Sequence, residues 1–149
     1  MCHRNYAAYY KILSFLLIVL TWSTASLAPA NAADVFPGHV SGRWELDDSP
    51  YYIHGDVDVP TDGTLIIDPG VTVYFTGYFS LDVYGDLYVQ GERGHEVVFT
   101  SGTDPQPGDW HRIRFYKSGG NDVVRHAVIS GAAQGIMVET ETSANNTVA

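Results

Sequence analysis

The sequence predicts an all-β solenoid of about four stacked coils, a parallel β-helix, and three observations carry that prediction. Short runs rich in Val, Ile, Tyr, Phe and Thr follow one another, with Gly, Asp, Asn or Pro in the gaps between them. No window after residue 32 shows the 3.6-residue apolar stripe of a helix. The runs also echo one another. Gly63-Thr64-Leu65-Ile66-Ile67 followed by Gly70-Val71-Thr72-Val73-Tyr74-Phe75 returns as Gly85-Asp86-Leu87-Tyr88-Val89 followed by Val97-Val98-Phe99-Thr100, at an offset of about 22 to 25 residues.

Taken in order, residues 1–32 read as an export signal. Arg4 and Lys11 give a positive start, Ile12 to Leu20 is an apolar run too short for a permanent span, and Ala30-Asn31-Ala32 is a small-x-small cleavage site. Cys2, the only cysteine, leaves with that signal, so packing and backbone hydrogen bonds hold the remainder without disulfides. The expected address is secreted or cell-surface, reached by a bacterial-type export route. Residues 33–42 read as a linker, and 43–149 as the β-helix domain.

Within that domain the β-type runs are Tyr52-Ile53, Val57 to Val59, Thr64 to Ile67, Val71 to Phe75, Ser80 to Tyr84 and Asp86 to Gln90. Val97 to Thr100, Trp110 to Tyr116, Val123 to Ser130 and Gly135 to Thr140 follow. Alternation assigns Leu65, Ile67, Val71, Val73 and Phe75 to the interior, where each stacks on its equivalent one coil away at about 4.8 Å. Asp68-Pro69-Gly70 suits a sharp corner, since Pro fixes φ and Gly accepts a positive φ. A sandwich or barrel is the competing all-β architecture, but apart from Asp62-Gly63 few segments fit a hairpin turn.

Composition limits the function. The chain holds 8 Lys+Arg against 17 Asp+Glu, a net charge of −9, and all of its acids follow residue 33. Such a surface repels phosphate backbones, which argues against a nucleic-acid partner. The 10 Tyr, 6 Phe and 3 Trp are too much aromatic surface for a disordered chain.

Ser49-Pro50-Tyr51-Tyr52-Ile53, the Gly63 to Phe75 run and Gly85 to Gly91 together resemble the opening coils of bacterial right-handed parallel β-helix proteins of the pectin-lyase-like superfamily. Val97 to Ser101, Gly108-Asp109-Trp110 and Ile113-Arg114-Phe115 are similar to the next coil of such proteins. The resemblance covers roughly residues 43 to 140. It implies the fold and says little of activity, because that superfamily holds lyases, hydrolases, epimerases, adhesins and structural domains. Such proteins run to many more coils, so the chain reads as a fragment that continues into further coils.

Three clusters carry candidate chemistry. Tyr74, Tyr84, Tyr88 and Trp110 recur with the coils and make a candidate outward strip for stacking sugar rings; the plain alternative is β-propensity and edge packing. Arg112 and Arg114 alternate with Ile113 and Phe115, and Arg125 is expected one coil above them. With Asp109, Asp122, His111 and His126 nearby, they make a charged outer face, either a polysaccharide-lyase site with an arginine base or a solvated sheet face laced with ion pairs. Asp47-Asp48, Asp56/Asp58 and Asp104/Asp109 are acidic turns with Ca²⁺-type ligands, and solubilising charge is the simpler role. No cofactor is otherwise implied, and no catalytic residue is assigned. The leading reading is a secreted or surface scaffold or adhesion module with affinity for a polysaccharide or cell-surface glycan. The alternative is the N-terminal part of a carbohydrate-active enzyme, a polysaccharide lyase or glycoside hydrolase.

Overall fold

The computed structural model describes residues 31–116, 121–139 and 147–148, and it places them in a parallel β-helix. The chain winds through three sheets in turn. Sheet A takes β1 (Ala33–Val35), β4 (Tyr51–Ile53), β7 (Thr72–Phe75), β10 (Val97–Thr100) and β13 (Ala127–Ile129). Sheet B takes β2 (Gly38–His39), β5 (Val57–Val59), β8 (Ser80–Val83), β11 (Trp110–Phe115) and β14 (Ala132–Val138). Sheet C takes β3 (Gly42–Trp44), β6 (Thr64–Ile67), β9 (Asp86–Gln90), β12 (Val123–Arg125) and β15 (Thr147–Val148). Neighbours in all three sheets run parallel, which excludes a hairpin sandwich.

The described residues therefore make five rungs rather than four. The extra one comes from residues 33–42, which are no linker: β1 and β2 pair with β4 and β5 through Ala33↔Tyr51 and Gly38↔Val57. Strands of two or three residues, one of them Gly-His, offer no apolar alternation to read. The export-signal residues 1–30 lie outside the described residues. Among the described residues, no helix is long and apolar enough to cross a membrane.

Alternation sets which side chains fill the column. Val57, Leu81, Ile113 and Ile136 form one inward row on sheet B, and Trp44, Ile67, Val89 and Val124 form another on sheet C. Leu65, Ile67, Val71, Val73 and Phe75 are all buried, as alternation requires. Removing each such side chain from water is worth about 1.5–3 kcal/mol. Near the start of the column the Trp44 and Tyr51 rings stack 4.7 Å apart. The Tyr51 hydroxyl accepts the Glu45 N–H at 2.8 Å, and burial raises the pKa of that phenol.

Rungs lengthen along the chain while the sheet register is kept. Successive sheet A partners are Ala33↔Tyr51, Tyr51↔Val73, Val73↔Phe99 and Phe99↔Ile129, so the extra residues all go into the rest of the coil. Corners absorb them. The corner from C to A holds residues 45–50, 68–71 and 91–96 in successive rungs and narrows to His126 in the next. The corner from B to C is short in the third rung, where Tyr84 and Gly85 alone separate β8 from β9.

Candidate functional site

The three-sheet winding separates the residues that alternation had grouped as outward. Trp110 is not on the surface: it is fully buried, its ring lies 4.1 Å from that of Phe75, and its indole N–H donates to the Ser130 carbonyl at 2.7 Å. Ile113 and Phe115 face inward, so strict alternation would send Trp110 outward. A register shift between Trp110 and Arg112 in the pairing with β14 breaks the alternation and turns the indole into the core.

The remaining aromatic candidates occupy three different places. Tyr74 lies on sheet A, stacked on Tyr52 at 5.3 Å. Tyr84 lies at the B-to-C corner, stacked on Tyr116 at 4.3 Å. Each therefore has one ring face covered by its neighbour along the axis. Tyr88 lies on sheet C, in an outward row with Arg43, Ile66 and Val123. There is no single aromatic strip.

The arginines divide as well. Arg112 and Arg114 share the outer face of sheet B, whereas Arg125 belongs to the same rung on sheet C and does not lie above them. Arg114 is occupied: its Nε–H and Nη2–H donate to the two carboxylate oxygens of Asp82 at 3.2 and 3.0 Å, and Nη1 is 3.5 Å from Glu139. Its guanidinium also lies 4.1 Å from the centre of the Tyr116 ring. Arg112 donates through Nη1 to Gln134 at 2.8 Å. This is the cross-strand ladder of a solvated sheet face.

Several of the nearby polar side chains are likewise engaged, His111 among them, its Nδ1 lying 3.0 Å from the Ser80 hydroxyl. Asp122 is buried and accepts the Leu87 N–H at 2.7 Å. Asp56 accepts the Ser80 N–H at 2.8 Å, and Asp58 pairs with His39 at 2.7 Å. Asp109 accepts the Ser101 hydroxyl at 2.6 Å and the Gln106 N–H at 2.8 Å, bonds that hold its pKa below the ordinary aspartate value. Asp47 and Asp48 sit in a short 3-10 turn after β3. Among the described residues, no group of three or more His, Cys, Asp or Glu side chains is placed to hold a metal ion.

One concave feature joins residues far apart in sequence. On the outer side of sheet C, where it turns toward A, a groove of about 580 Å³ is lined by Arg43, Asp68, Gln90, Arg93, Arg125 and His126, among others. Stacking explains the convergence. Gln90 and Arg125 are register partners on β9 and β12, Asp68 follows β6, and Arg43 stands on β3 beside it. Arg93 comes from the long third-rung corner. Backbone bonds tie these corners together: Gly70 N–H donates to the His95 carbonyl at 2.9 Å, and Val97 N–H to the His126 carbonyl at 3.0 Å.

Electrostatically the groove stands apart from the rest of an acidic molecule, since its lining sets Arg43, Arg93 and Arg125 against two carboxylates, Asp68 and Glu92. Arg43 donates to Asp68, but among the described residues neither Arg93 nor Arg125 has a carboxylate partner. His126 supplies part of the wall from a left-handed backbone conformation (φ 45°) that a non-glycine residue adopts only at a cost of about 1 kcal/mol or more. The sequence reading found Arg125 and Tyr88 but missed Arg43, Arg93 and Asp68, whose nearness depends on corner lengths.

Compared with known proteins, no family model matches the chain, and no solved structure does. A stretch of 68 residues, 46% of the chain, is 31% identical to "Protein bark beetle" of Drosophila melanogaster. The matching stretch amounts to about 2% of that protein's length.

Proposed function

We propose that this chain is a secreted or cell-surface β-helix scaffold or adhesion module that holds carbohydrate on the outer face of sheet C. The observation that carries the reading is the groove. It is a concavity of about 580 Å³, within the size range of ligand sites. It carries two guanidiniums without carboxylate partners, one row from the outward ring of Tyr88. Sugar recognition uses this combination of an aromatic face and charged, multi-donor side chains. The paired ladders on sheet B fit a supporting role, because Arg114 is locked between Asp82 and Glu139. The export-type N-terminus and the resemblance to opening coils of bacterial β-helix proteins support the address and the scaffold reading.

A glycan array probed with the purified chain tests this. Retention on a defined subset of glycans, reduced at least tenfold by Tyr88→Ala, is the expected result; no retention on any glycan contradicts it. Incubation with uronate polymers tests the enzymatic alternative. Chain cleavage that disappears in the Arg112→Ala, Arg114→Ala double variant would favour it over the scaffold.

A further inference from the structure

We propose that the sheet C groove is a site for a tetrahedral oxyanion carried on a saccharide, a sulfate or phosphate ester. The proposal rests on the carbohydrate reading above and names the chemistry that the groove selects. Four observations converge on it. The chain has a net charge of −9, so a polyanion is repelled by most of the surface and held only where cations gather. Only six Lys and Arg residues follow residue 33, and three of them line this groove. Arg93 and Arg125 come from different rungs, a corner and a strand, and neither has a carboxylate partner among the described residues. His126 lines the same groove from a strained backbone position of the kind that clusters at functional sites.

The shape of the anion follows from how guanidiniums pair. A planar carboxylate meets one fork side-on, as Asp82 meets Arg114 through two nearly parallel bonds. A carboxylate keeps its acceptor lone pairs in one plane, so when it meets one of these arginines side-on it reaches the other only where that guanidinium lies in the same plane. A sulfate or phosphate ester presents three oxygens in different directions and accepts from donors on separate walls at once. Arg43 is already neutralised by Asp68, and although Glu92 also lines the groove, Arg93 and Arg125 leave a net positive charge there to receive the anion.

Polymers on one backbone test this cleanly: dextran, carboxymethyl dextran, dextran sulfate and dextran phosphate, each immobilised and presented to the full chain. Retention on the sulfate or phosphate form, at least tenfold stronger than on the carboxymethyl and neutral forms, is the expected result. The Arg93→Gln, Arg125→Gln double variant should lose that retention at least tenfold with an unchanged melting temperature, because both residues are exposed. Arg112→Gln, which removes one positive charge from sheet B, should leave retention within twofold, whereas Arg125→Gln alone should already weaken it. Equal retention on carboxymethyl dextran would overturn the tetrahedral selectivity. Retention on neutral dextran that is insensitive to the double variant would overturn the site and leave the carbohydrate reading standing. No retention on any polymer, together with a silent glycan array, would overturn both. Full competition by equimolar inorganic sulfate or phosphate would make the free ion the ligand and overturn the saccharide part.

Discussion

In the third rung of this solenoid the B-to-C and C-to-A corners are built for opposite purposes. At the first, backbone presses on backbone: a side-chain carbon on Gly85 would lie 2.2 Å from the carbonyl oxygens of both Gly63 and Pro60. No residue but glycine fits there. Nearby, Asp122 is only 2% exposed and caps the Leu87 N–H. At the C-to-A corner of the same rung the connection holds six residues, 91–96, and a charged groove opens along it. Close stacking persists at Gly91, where an added carbon would meet the His126 carbonyl at 2.1 Å, but Gly94 further along has nothing within 4 Å. In that rung the short corner fixes rung spacing, whereas the B-to-C connection of the fourth rung, residues 116–122, is longer. The C-to-A corner has room for length, charge and strain, and that is where the candidate site lies.

Substitutions can break or sharpen this contrast. The largest effect is expected for Gly85→Ala, which should cost about 3 kcal/mol through overpacking. Gly94→Ala should cost only about 1 kcal/mol, the penalty of its left-handed backbone (φ 81°). Chemical denaturation of the pair measures the difference, and equal losses would erase the distinction between corners. Next comes Asp122→Ala, which strips a buried N–H of its acceptor and should cost about 1–3 kcal/mol by the same assay.

His126→Gly should relieve backbone strain and leave stability unchanged or raised by up to about 1 kcal/mol, while weakening retention on the sulfated or phosphorylated polymer. A loss of stability would show that the histidine ring supports the corner.

The smallest effect concerns the A-to-B corner. Because the Ser101 hydroxyl and Gln106 N–H lower the Asp109 pKa, the contribution of that carboxylate is present above the ordinary aspartate value of 3.8 and is lost as pH falls through the lowered one. Amide signals of residues 101–109 should therefore hold down to about pH 4 and shift only below it. In Asp109→Asn that acid step should vanish.

How much of this was legible in the sequence follows the same division. The inward rows through Leu65, Ile67, Val73 and Phe75 were readable because alternation has a fixed period and the β-helix keeps it across rungs. The first rung was not, because Gly38-His39 carries no apolar signal and is held in place by its neighbour Val57. Trp110 was misplaced because one register shift reverses the face of everything before it. The groove was only half visible. Arg125 and Tyr88 could be picked out as outward residues, but their meeting with Arg43 and Arg93 depends on corner lengths, and unequal corners leave no periodic trace.

Insertion tolerance tests the account most directly. Two glycines placed between Arg93 and Gly94 lengthen the open corner, and two placed between Tyr84 and Gly85 lengthen the tight one. The first should change the melting temperature by less than about 4 °C, and the second should lower it by about 10 °C or more, the equivalent of a few kcal/mol in a domain of this size. Equal losses at both corners would contradict the claim that one corner sets the rung spacing while the other is free to carry a site.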